Sequence, residues 1–69
     1  MILASKNLKE YLEISGLSNK EFSKRIGFDE PTTSMVINRK EEPSKNFIEQ
    51  VITVTGMKFE SAFEIEESK

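Results

Sequence analysis

The sequence predicts a small all-helical domain, all-α in class, built from five short helices. Two observations carry this reading. Apolar residues recur at helical spacing through most of the chain, and three glycines and two prolines stand as punctuation between those stretches. A third observation bounds it: 69 residues can close only one hydrophobic core. The whole of 1–69 is therefore expected to be one domain, with its packed part over 5–65 and a charged tail at 66–69.

The first helix is expected from Ser5 to Ser15, where Leu8, Tyr11 and Leu12 share one face and Gly16 is a left-handed stop. Polar Lys6, Lys9, Glu10 and Glu13 face water. The second opens on Ser18-Asn19-Lys20-Glu21, a capping box in which the Ser18 hydroxyl accepts from the Glu21 amide and the Glu21 carboxylate reaches back to the Ser18 amide. Phe22 and Ile26 lie one turn apart on its buried face, small Ser23 beside them lets another helix approach, and Gly27 ends it. The third helix follows Phe28, with Glu30 as its cap and Pro31 in the first helical position, where the missing N–H is harmless. It runs to Arg39, with Val36 as core anchor flanked by Ile37 and a half-buried Met35.

Ser44 caps the fourth and main core helix, whose Phe47, Ile48, Val51 and Ile52 repeat at helical spacing up to Gly56. Its β-branched stretch from Val51 to Thr55 favours a strand by propensity, yet the apolar face and the lack of a partner strand decide for helix. The fifth helix is expected over Lys58 to about Glu64 and carries Phe59, Ala62 and Phe63, with Phe59 plugging the core below the fourth helix, and the chain beyond Ile65 is expected to fray.

Composition narrows the function. Hydrophobic residues at 36% against 32% charged describe an ordinary soluble domain. Cysteine and histidine are absent, which removes thiol nucleophiles, disulfides, imidazole bases and the usual zinc ligands. No metal and no cofactor is expected, and no carboxylate pair is forced into the buried arrangement that acid–base catalysis requires. The chain is read as a binding protein and not an enzyme. Its longest apolar run, Met1 to Ala4, falls far short of the roughly 20 residues that span a bilayer, which points to a cytoplasmic protein without a membrane partner. The net charge of −2 is unevenly spread: Met1 to Lys45 holds eight basic and seven acidic residues, Asn46 to Lys69 two and five. A basic face on the first two thirds remains open to an anionic partner.

Two short helices joined by a tight glycine-containing turn inside a small helical domain form the helix-turn-helix pattern. The stretch LSNKEFSKRIGFDEPTTSMVINRKEEPS, Leu17 to Ser44, resembles the XRE family, the Cro and repressor DNA-binding domains of phages and their bacterial relatives. Leu17 and Ser18 fit the start of the second helix, Phe22, Ser23 and Ile26 its large, small and large buried positions, and Gly27-Phe28 the turn. Val36 fits the buried position of the recognition helix, Pro43-Ser44 the start of the fourth helix, and Gly56 to Phe63 the closing loop and amphipathic helix. The match of Leu17 to Ser44 needs no gap, and the likeness covers roughly Leu8 to Phe63. It implies a five-helix lambda-repressor-like fold and a sequence-specific transcriptional regulator whose recognition helix enters the major groove of an operator. Three departures stand out: Thr33 where an aliphatic core residue is usual, Arg39 in place of the glycine after the recognition helix, and Glu30, Pro31 and Met35 where relatives reach bases.

By the same resemblance, Asn19 with adjacent Lys20 contacts a phosphate at the positive end of the second helix. Thr32, Thr33 and Ser34 are the candidates on the recognition helix, and Asn38, Arg39 and Lys40 meet the DNA backbone at its far end. No Arg or Gln precedes Asn38 on that helix, so bidentate base reading is sparse and direct specificity is expected to be modest. Double-stranded DNA, in the form of an inverted repeat, is the expected partner of a weak homodimer whose exposed contact is Phe63 and Ile65. The alternative is a helix-turn-helix module that binds another regulatory protein, with Glu30, Pro31, Met35, Glu41 and Glu42 as its surface.

Overall fold

Helix boundaries in this chain are set by short-range hydrogen bonds, visible in a computed structural model that describes residues 1–66. The Ser5 hydroxyl accepts from the Leu8 N–H at the start of α1 (Lys6–Ser15), and the Ser44 hydroxyl from the Phe47 N–H at the start of α4 (Lys45–Thr55). The expected capping box opens α2 (Asn19–Ile26): Glu21 N–H donates to Ser18 Oγ at 3.2 Å, and Ser18 N–H donates to Glu21 Oε1 at 3.4 Å. Each such cap contributes about 1 kcal/mol. All three helices stop where the sequence predicts, on Gly16, Gly27 and Gly56 in the left-handed region.

The third helix begins one residue earlier than expected. α3 spans Glu30–Ile37 with Asp29, not Glu30, as its cap residue and Pro31 in the second helical position. The first four N–H groups of any helix lack intrahelical acceptors, so proline is as harmless second as first. The Asp29 side chain makes no cap hydrogen bond. Its carbonyl instead receives both the Thr33 N–H, at 3.1 Å, and the Thr33 hydroxyl, at 3.0 Å, which fastens the first turn from below.

α3 also stops short of Arg39. Asn38 is its last half-helical residue, Arg39 N–H donates to the Val36 carbonyl and Lys40 N–H to the Met35 carbonyl. This is the Schellman closure, whose left-handed position is normally glycine. Arg39 holds it at φ 63°, the single non-glycine residue with positive φ among those described.

The largest correction lies at the chain ends, where the all-α expectation fails. The apolar run at the start forms a strand, β1 (Ile2–Ala4), and the fifth helix is cut to α5 (Phe59–Ala62), after which β2 (Phe63–Ile65) follows. The two strands pair antiparallel, with Ile2 opposite Ile65, Leu3 opposite Glu64 and Ala4 opposite Phe63. The fold is mostly helical with a small two-stranded sheet, and its packed part begins at Leu3 instead of residue 5. The apolar run that is too short to span a bilayer supplies the partner strand that turns Phe63 to Ile65 away from helix. The Ser5 N–H continues the pairing to the Ala62 carbonyl, and Glu42 Oε1 accepts the outward-facing Ile2 N–H at 3.0 Å. Of the charged tail expected at 66–69, only Glu66 lies within the described residues.

One apolar cluster holds these elements together. Phe22, Phe47, Phe63, Leu8, Val36 and Val51 are fully buried in it, and Phe28 tilts against Phe47 with ring centroids 5.0 Å apart. Each buried large side chain contributes about 1.5–3 kcal/mol. Ser23, as expected, is the buried small residue of α2, and its hydroxyl donates to the Lys20 carbonyl. No helix among the described residues is long and apolar enough to cross a membrane.

Candidate nucleic-acid interface

α3 divides into two faces by the residues it buries. Thr33, Val36 and Ile37, at helical spacing, turn into the core. Glu30, Pro31, Met35 and Asn38 are exposed, and Thr32 and Ser34 are half-buried at the margins of that face. The tight turn from Gly27 to Asp29 leads into α3, and the Gly27 and Phe28 N–H groups both donate to the Ser23 carbonyl, which closes the end of α2.

Of the predicted contacts on α3, Thr33 is withdrawn. It is fully buried, and its hydroxyl is spent on the Asp29 carbonyl, so it reaches no outside ligand. Thr33 fills the aliphatic position of the resembled pattern by hiding its polar atom in a local bond. Ser34 and Asn38 stand one turn apart on the outer face, with Asn38 Nδ2 donating to Ser34 Oγ at 3.3 Å. The remaining amide atoms of Asn38 are open to a ligand. Met35, expected half-buried, is 42% exposed and presents its thioether on the same face.

The predicted phosphate contacts fare differently from one another. Asn19 is half-buried and Lys20 exposed in the first turn of α2, as its start requires. Lys40 is exposed beyond the end of α3. Arg39 is not free: its guanidinium pairs with Glu64 at 2.9 Å and with Glu66. The left-handed backbone at Arg39 and the strand β2 together aim that side chain at its acidic partners.

Beside Arg39 lies a solvent-open cleft of about 200 Å³, lined by Ser5, Lys6, Lys9, Ile37, Asn38 and Arg39. It joins the start of α1 to the end of α3 and so brings in two lysines that the sequence assigns only to a water-facing surface. Their spacing on α1 is legible locally; the nearness of α3 is not. Among the described residues no group of three or more acidic side chains gathers where it could hold a metal ion.

The predicted dimer contact divides as well. Phe63 is fully buried in its own core, stacked on Phe59 at 5.7 Å, because strand pairing with Ala4 turns it inward. It is removed from any intermolecular surface. Ile65 is 70% exposed at the end of β2. Neither a scan of protein-family models nor a search of curated proteins found a match for this chain.

Proposed function

We propose that this chain is a DNA-binding transcriptional regulator of the Cro and repressor type, in which α2 and α3 act as a helix-turn-helix and α3 enters the major groove. The observation that carries this reading is the division of α3: Thr33, Val36 and Ile37 anchor it, while Ser34, Met35 and Asn38 face outward on a short helix braced by α2. The resemblance of Leu17 to Ser44 to the XRE family, and with it a lambda-repressor-like fold, supports the same reading. Thr32, Ser34 and Asn38 offer hydroxyl and amide groups to base edges or phosphates, and Met35 offers an apolar contact such as a thymine methyl requires. Asn19, Lys20 and Lys40 supply phosphate contacts that fix register.

A weak homodimer on an inverted repeat would place two α3 helices about 34 Å apart, in successive major-groove turns. Ile65 is the contact that remains for it. A complex of one chain per duplex in sedimentation removes this assembly.

Retention of duplex DNA in a mobility shift, at about 50 and about 200 mM salt, tests the function. Retention that weakens steeply with salt supports it. A second reading, a module that binds another regulatory protein, is favoured by exposed Glu30, Pro31 and Met35 and by the pairing of Arg39 with acidic side chains. Absence of retention at the lower salt replaces the first reading with this one.

A further inference from the structure

The first turn of α1 is charged the wrong way for its own stability. Lys6 occupies the first helical position and Lys9 follows three residues later on the same side, with no acidic residue in that turn. A helix N-terminus favours anions, and like charges three apart repel. Neither lysine forms an ion pair among the described residues. Both line the cleft that Asn38 and Arg39 close from the other wall. Two unpaired cations and an amide donor facing one concavity are unfavourable when it is empty and favourable when an anion fills it.

We propose that this cleft is a phosphate site, with Lys6 and Lys9 as its cationic ligands and Asn38 as a neutral donor. In the proposed complex, on which this assignment of source rests, the phosphate is a diester of the DNA backbone. The recognition helix of a helix-turn-helix lies in the major groove with its N-terminal residues toward the bases, so the far end of α3, where the cleft opens, is turned toward the phosphate backbone. Arg39 is the third cation lining the cleft, and its guanidinium is paired with Glu64 and Glu66. The site's free charge therefore comes from α1, the helix that the helix-turn-helix pattern leaves out.

The experiment compares wild type with the double variant Lys6→Gln/Lys9→Gln in fluorescence anisotropy on duplex DNA across salt concentrations. Lys24→Gln/Arg25→Gln, on the exposed last turn of α2, is the control of equal charge change. The expected result is a salt slope lower by about one unit of log K per log salt, the share of one phosphate, in the α1 variant alone. In parallel, inorganic phosphate is titrated into each protein and the amide resonances of Lys6 to Lys9 are followed. If wild type binds duplex and the α1 variant keeps its affinity and slope, or loses no more than the control, the site is overturned while the DNA reading stands. If wild type ignores duplex but free phosphate shifts those resonances saturably, and only with the lysines present, the site stands as a receptor for free phosphate and the DNA reading falls. If neither ligand has an effect, both are overturned.

Discussion

Arg39 concentrates the tension between sequence pattern and structure. Its backbone sits where a glycine would be unstrained, at φ 63°, and a side chain there costs about 1–2 kcal/mol. Its two ion pairs to Glu64 and Glu66 contribute at most about 1 kcal/mol each, together a sum of the same size as that strain. Arg39→Gly is therefore expected to be more stable than Arg39→Ala by about 1 kcal/mol, since both lose the ion pairs and only one keeps the strain. Urea midpoints at unchanged slope measure the difference, and equal midpoints contradict the account. The sequence showed the missing glycine at this position but not the acidic partners, which arrive from the other end of the chain. Thr33 teaches the complementary lesson. The resemblance puts it among the contacts of the recognition helix and also at a usual aliphatic core position, and its spacing with Val36 and Ile37 decides for the buried side.

At the scale of elements, what was legible is what is local. Ser5, Ser18 with Glu21, and Ser44 satisfy donors three residues away, and Gly16, Gly27 and Gly56 stop helices by their own backbone freedom. The sheet was not legible, because β1 and β2 are three residues each and neither has a strand signal until the other lies beside it. The helical spacing of Phe59, Ala62 and Phe63 extends the expected helix past Ala62, where strand pairing ends it. The pairing decides that Phe63 points inward and Ile65 outward, and this has an energetic consequence. Phe63→Ala is expected to destabilise by about 3–5 kcal/mol through the cavity it leaves, a large part of the stability of so small a domain. Ile65→Ala changes stability by no more than about 0.5 kcal/mol. Thermal melts of the two variants check the contrast, and a similar loss for both means that β2 does not pair as described.

Over the whole molecule, charge is arranged by folding and not by sequence order. The acidic last third returns to the end of α3, where Glu64 and Glu66 take Arg39, while the start of α1 leaves Lys6 and Lys9 open on the adjoining cleft. Counting charges along the chain shows an excess of each sign in separate thirds; only the tertiary structure shows that they meet. The outward face of α3 was foreseeable from spacing, and the contribution of α1 was not. The proposed regulator depends on that face of α3 meeting DNA. Amide chemical shifts recorded while duplex DNA is added test this most directly. The account predicts the largest changes at Thr32, Ser34, Met35 and Asn38, with further changes at Asn19 and Lys40 and little along α4. Changes confined to β2 and α4, or none at all at low salt, would contradict it.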